Sequence, residues 1–242
     1  MMSNPHPLTG APSIAPQSGV VSSSVFAEVL ANPSLGARRM NVAAGTILYE
    51  PHTGAHNLYF IHRGQIRTYY PGEDNYGRLV DILGPDAWFG EAALAKATSY
   101  GEQAAAVVPS VISEVNAERF LNFVMHNPKV GVELYRQLAQ KLTSAREDAA
   151  GLIFDDCHNR LLKALVRFSR SAAAQPHGDG VVLRITHEQL AQAIGVARET
   201  VSLALTQLRQ QNLLRTGRNQ LMFNPEAIKN SCRTPRKLGN VG

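Results

Sequence analysis

The chain has 242 residues, a length for one or two domains, and 44% of them are hydrophobic, enough to build a sizeable core. Two cysteines, Cys157 and Cys232, are too few for a disulfide framework or a four-thiolate metal site. No apolar run approaches the roughly 18–20 residues of a membrane span. The net charge of +5 is unevenly spread: from residue 157 onward 13 Lys+Arg stand against 4 Asp+Glu, whereas residues 1–156 carry 11 against 15. One acidic and one basic module, the latter suited to a polyanion, account for that asymmetry.

Residues 1–24 hold four prolines among Ser, Gly and Ala. They bury too little apolar area to offset chain entropy and read as a disordered tail. With neither a basic nor an apolar stretch of the secretory kind, this opening points to a cytoplasmic protein. The segment VFAEVLA (25–31) reads as a short helix that opens a domain extending to residue 127. From Arg38 to about Asn116, β-branched and aromatic segments alternate with Gly and Pro turns, as in NLYFIHRGQIRTYY with Gly64 between two strands. This pattern predicts a sandwich or barrel of about eight short antiparallel strands.

At Ala117 the period turns helical. One short helix stops before Pro128, and a long one is predicted over residues 128–154. Leu134, Leu138, Leu142, Ala145, Ala149 and Leu152 recur at spacings of three and four, the pattern of a coiled-coil seam. The same stripe would also serve a helix lying on its own β domain. Arg136, Gln137, Lys141, Arg146 and Glu147 flank it. Asp155-Asp156 is a plausible hinge. Beyond it lie a predicted amphipathic helix (158–174), a turn QPHGDG (175–180) and a strand (181–185), opening a module over residues 155–228. Residues 229–242 read as a basic tail.

Residues 186–214 read THEQLAQAIGVARETVSLALTQLRQQNLL. Thr186 and Gln189 have capping-box spacing, so a helix starts at His187. Gly195 supplies a turn where positive φ costs little. A second helix, from about Arg198 to Gln211, turns Val201, Leu205 and Leu208 inward. Two short helices around a glycine turn, the second polar at its start, make a helix-turn-helix. LLRTGRNQLMF then gives strand, Gly217 turn, strand: a wing. The N-terminal end of the second helix enters the major groove in such modules, which places Arg198, Glu199 and Ser202 at base edges. Arginine pairs bidentately with guanine and glutamate accepts from cytosine. Thr186, Thr200, Gln207, Arg209, Arg215 and Arg218 are candidates for phosphate contacts. On a solvated face, Arg198-Glu199 would be only an exposed ion pair.

RETVSLALTQLRQQNLL, preceded by THEQLAQAIG and a β segment with FGEAAL, strongly resembles the cyclic-AMP receptor protein/FNR superfamily of bacterial transcription regulators, over about residues 38–225. The resemblance implies an α+β fold: an N-terminal β-roll like the cyclic-nucleotide-binding jelly roll, a long dimerisation helix, and a C-terminal winged helix-turn-helix. It also implies a homodimer through the long helix, an effector pocket in the β-roll, a palindromic operator in double-stranded DNA, and RNA polymerase as a partner. It assigns Arg198 and Glu199 to base contacts. Where the cyclic-AMP receptors carry a second arginine, Ser202-Leu203 stands here.

The cyclic-AMP cassette is only half kept. Phe89, Gly90 and Glu91 match its opening, whose glutamate meets the ribose. Glu102 and Gln103 occupy the Arg-Ser positions that neutralise the phosphate, and no arginine occurs between Trp88 and Arg119. On the long helix, Ala145 and Arg146 replace the two hydroxyls offered to adenine. The expected effector is therefore something other than cyclic AMP: a 2-oxoglutarate-like metabolite held by Lys141 or Arg146, or another nucleotide such as a cyclic dinucleotide. Two alternatives are an effector-independent regulator with a degenerate pocket and a metal-dependent cupin-like enzyme. The scattered histidines, His52, His56 and His62 among them, supply no metal or haem ligand set, and no catalytic residue or resident cofactor is assigned.

Overall fold

The structure is a computed structural model and describes residues 29–72 and 77–232. The tail at 1–24, the start of the 25–31 helix and the basic stretch from Arg233 onward lie outside the described residues. Eight strands do form between Arg38 and Asn116: β1 (Arg38–Val42), β2 (Ile47–Tyr49), β3 (Asn57–Arg63), β4 (Ile66–Tyr70), β5 (Arg78–Leu83), β6 (Trp88–Phe89), β7 (Gln103–Ala106) and β8 (Ser110–Asn116). They pair antiparallel into two four-stranded sheets, β1-β8-β3-β6 and β2-β7-β4-β5. Tyr49, Tyr59, Ile61, Ile66, Phe89, Ala104, Ala106 and Ile112 form the core of this β-roll. Gly64 turns β3 into β4 at φ +101°, and a Cβ there would come 2.7 Å from the Ser110 Cα, so both conformation and space demand glycine.

Asn116 caps α1 (Ala117–His126) by accepting from the Glu118 and Arg119 amides. Pro128 opens α2 (Pro128–Phe154), where its missing N–H is not needed. Val130 and Leu134 of α2 pack with Leu58, Phe60, Trp88, Val115 and Phe120 against the β1-β8-β3-β6 sheet. This corrects one position of the seam. Leu134 is 7% exposed and belongs to its own domain's core, whereas Tyr135 is 74% exposed. Gln137, placed by the sequence among the seam's flanks, is also buried and accepts a hydrogen bond from the Trp88 indole.

Asp156 caps α3 (Cys157–Phe168), which ends well before the residue 174 expected for it. QPHGDG is not all turn: Ala174–His177 is strand β9, pairing with β10 (Gly180–Leu183). The two helices of the helix-turn-helix are α4 (His187–Ile194) and α5 (Arg198–Gln210). The wing strands β11 (Leu214–Gly217) and β12 (Gln220–Phe223) extend the sheet in the order β11-β12-β10-β9. The wing turns at Arg218-Asn219 rather than at Gly217, with Asn219 at φ +54°. Helix α6 (Pro225–Cys232) follows, so residues 229–232 are helix and not tail. Its Ile228 is fully buried. Leu79 and Ile82 of β5 join the winged module's core beside Leu161, Leu190 and Ile194, tying the two domains together.

Candidate functional site

The reading head is held by local chemistry. The Thr186 hydroxyl accepts from the Gln189 amide at 3.1 Å, and the Gln189 side chain accepts from the Thr186 amide at 2.8 Å, closing a capping box. Gly195 ends α4 in the left-handed region at φ +68°. Leu190, Ala191 and Ile194 of α4 pack on Val201, Leu205 and Leu208 of α5. Burying that face turns Arg198, Glu199, Thr200, Gln207 and Arg209 to solvent, with Arg215 and Arg218 exposed on the wing. No side chain caps the start of α5, so its first amides stay available beside Arg198, an arrangement that favours anions.

Ser202 is differently placed from the other two proposed readers. Its hydroxyl lies 2.9 Å from His187 Nδ1 and donates to the Arg198 carbonyl at 3.0 Å. It is a half-buried staple between α4 and α5 before it is anything else, and its hydrogen-bonding capacity is largely used within the module. Thr186 likewise spends its oxygen on the cap while remaining partly accessible.

The residues expected to meet an effector fall into two groups. Gly90 precedes a short 3-10 helix, Glu91–Ala93, at φ +90°, and a Cβ there would lie 2.8 Å from the Asn57 carbonyl oxygen. This turn delivers Glu91 to the long helix, where Lys141 Nζ stands 3.0 Å from Glu91 Oε1. The same ammonium donates to the Trp88 carbonyl at 3.3 Å and lies 4.5 Å from the Trp88 ring centre. Tyr49 donates to Glu102 Oε1 at 3.3 Å. Burial, and then the charge of Glu91, push the Glu102 carboxyl up to about 7. Burial also raises Asp81, a residue that nothing in the sequence singles out, and burial with Glu102 raises the Tyr49 phenol well above its usual range. Lys141 is a nearby cation for both Glu102 and Asp81, while burial favours the protonated form of each.

Gln103 and Arg146 stand apart from this group. Gln103 begins β7, paired across from Tyr69. Arg146 is exposed and, five residues beyond Lys141, lies about 140° further round α2. It therefore faces away from Glu91, towards the far edge of the apolar seam.

The Glu102 environment has a stability consequence. A carboxyl whose pKa is 4.5 when free and about 7 in the fold binds its proton more tightly when folded. Its contribution is fully present at low pH and is lost as pH rises from about 4.5 through 7. Glu102→Gln is expected to flatten that part of the stability profile, gaining about 1–3 kcal/mol at pH 8 and little at pH 4, because partial solvent access trims the full linkage value. Urea melts at the two pH values check this, and equal effects at both would contradict it.

At the junction of α2 and α3, Asp155 pairs with Lys163 at 2.5 Å and Asp148 of α2 pairs with Arg167 of α3. The Arg160 guanidinium donates to the Ile194 carbonyl at 3.0 Å, at the start of the glycine turn. From the other side, Gln65 donates to the Ala172 carbonyl at 2.7 Å, and Gly84 approaches Ala172 so closely that a Cβ on it would lie 2.3 Å from the alanine methyl. The long helix and the β-roll therefore both touch the module that presents α5.

A β-roll whose Glu91 pairs with Lys141 of a long helix, followed by an outward-facing helix-turn-helix, defines a DNA-binding transcription regulator with an effector-binding domain. Comparison with known proteins agrees. Residues 39–127 match the cyclic nucleotide-binding domain model and residues 159–230 the Crp-like helix-turn-helix domain model. The cAMP-activated global transcriptional regulator CRP of Pasteurella multocida is 28% identical over 164 residues, 66% of this chain and 77% of that protein. The CRP-like cAMP-activated global transcriptional regulator of Mycobacterium tuberculosis is 26% identical over 181 residues, 73% of this chain and 80% of that one. A CRP/FNR-family transcriptional regulator from Thermus thermophilus superposes with a TM-score of 0.68 at 23% identity, over 81% of this chain and 99% of that one. The chain belongs to the CRP/FNR family of transcription regulators.

Among the described residues no helix is long and apolar enough to cross a membrane, and no group of three or more His, Cys, Asp and Glu side chains is placed to hold a metal ion.

Proposed function

We propose that the chain works as a homodimer that reads a palindromic operator through Arg198 and Glu199 of each subunit, with phosphates held by Thr186, Thr200, Gln207, Arg209, Arg215 and Arg218. The observation that carries this reading is the exposure of the Arg198-Glu199 turn on a helix whose opposite face is fully packed. Support for the dimer comes from α2. With Tyr135 in place of Leu134, the exposed residues Tyr135, Leu138, Leu142, Ala145, Ala149 and Leu152 recur at strict spacings of three and four over the stretch where α2 leaves its own domain. RNA polymerase is a further partner we infer, and the cytoplasm is where it would be met.

Selection from a random duplex pool tests the proposal. The selected sequences should share a two-fold-related pair of half-sites about one helical turn apart. Their affinity should fall steeply with salt as phosphates exchange counterions for Lys and Arg. A pool that returns no shared sequence would overturn the reading.

The effector we infer is not cyclic AMP. In the chamber we infer between Glu91, Glu102 and Lys141, Glu102 stands where a cyclic phosphate needs a cation: ionised it would repel the phosphate, and protonated it would still leave that charge without a partner. Lys141 is the cation an anionic metabolite or another nucleotide would use, and binding would have to draw it from Glu91. The same Lys141–Glu91 pair favours a second reading, in which the chamber is closed by its own ion pair and the regulator needs no effector. Titration calorimetry with cyclic AMP is expected to show no saturable heat at millimolar ligand. Micromolar binding would contradict this account of the chamber.

A further inference from the structure

We propose that Leu203 reads the C5-methyl group of a thymine in each half-site, so that the operator is selected partly by an apolar contact. This rests on the DNA-reading role of α5 proposed above. Residues of a helix follow one another at about 100°, so Glu199, Leu203, Thr206 and Gln210 lie along one ridge of α5. Val201, Leu205 and Leu208 lie on the opposite side and are buried. Leu203 is 69% exposed, a large aliphatic side chain in the middle of an otherwise polar ridge.

A lone exposed leucine needs no partner, so its exposure alone decides nothing. Its surroundings decide more. The Ser202 hydroxyl donates to the Arg198 carbonyl, and the Thr206 hydroxyl donates to the Ser202 carbonyl at 2.9 Å. Both hydroxyls beside Leu203 are thereby turned back onto the helix, and the middle of the ridge presents hydrocarbon. On the major-groove edges of the four base pairs the apolar feature is the thymine methyl. Leu203 lies about 6 Å along α5 from Glu199, within two base-pair steps of about 3.4 Å. The thymine should accordingly fall within two base pairs of the pair that Glu199 reads.

The test uses the full chain and an operator obtained by selection. Each thymine is replaced in turn by deoxyuridine, which removes only the methyl group, and dissociation constants are measured for wild type and Leu203→Ala. For wild type, one thymine per half-site should show a penalty of about fourfold, and substitution in both half-sites about fifteenfold, as expected for one buried methyl group each. Leu203→Ala should bind the thymine operator more weakly by a similar factor and lose the uracil penalty at that position alone. Its thermal melt should match wild type, because the side chain packs on nothing in the core. Uracil tolerated at every position by wild type, or an unchanged penalty in Leu203→Ala, would overturn the proposal while leaving selective binding intact. Failure of wild type to select any operator would overturn the reading beneath it as well.

Discussion

Arg198→Ala is expected to cut operator selectivity sharply while leaving the protein folded and dimeric. A bidentate arginine–guanine contact contributes about 1–3 kcal/mol of discrimination. A two-fold operator uses it twice, so the loss should be about 2–6 kcal/mol, between roughly thirtyfold and twenty-thousandfold in the ratio of specific to non-specific affinity. The side chain is fully outside the packed face of α5, so the melting temperature should not change. Binding to unrelated duplex should persist, since Arg209, Arg215 and Arg218 remain for phosphates. Competition gel shifts with operator and unrelated DNA read both quantities. Selectivity undiminished in the variant would remove Arg198 from the reading set.

The second large effect is expected in the seam. Leu142 is 52% exposed on the single chain, at a position where two copies of α2 would bury it. Leu142→Asp would place a carboxylate on that line, at about 3–5 kcal/mol for each uncompensated charge. Sedimentation should then show monomers at micromolar concentration, and operator affinity should collapse, because each half-site would be bound alone. Leu134→Ala is the informative contrast. Leu134 sits in the β-roll core with Phe60, Trp88 and Phe120, so its truncation should cost about 2–5 kcal/mol of domain stability and leave the dimer in place. A dimer that survives Leu142→Asp, or that dissociates on Leu134→Ala, would reverse the assignment of faces.

Those two leucines also show where the sequence stops being legible. The helix-turn-helix could be read almost to the residue, because its determinants are local: a capping box three residues apart, a glycine at the turn, and an apolar face with helical period. The number of strands in the β-roll, though not the bounds of each, was also legible from β-rich stretches and turn residues. Leu134 and Tyr135, by contrast, are neighbours on a helix that is apolar on two faces. Which one meets the β-roll depends on Phe60, Trp88 and Phe120, brought there by the fold from distant segments. Gln137 misleads for the same reason: a polar residue reads as solvent-facing until the Trp88 indole is found against it.

Strand β9 carries Gln175, Pro176 and His177, with no alternation to betray it, and is held by pairing to β10. The inferred effector chamber is legible in the sequence only through Glu91, Glu102 and Lys141. Asp81 enters because β5 passes between the chamber and the winged module, a neighbourhood created by topology. That passage suits a regulator: Asp81 lies two residues from Leu79 and one from Ile82, which pack into the module that carries α5. A change of charge in the chamber is thus one strand away from the DNA-binding core.

The most direct test of the central claim is methylation protection of guanine N7 across a selected operator, with wild type and Arg198→Ala side by side. The account predicts two protected guanines related by the operator's two-fold axis, about one helical turn apart in the major groove, both unprotected in the variant. Protection in one half-site only, or the same pattern with and without the arginine, would contradict it.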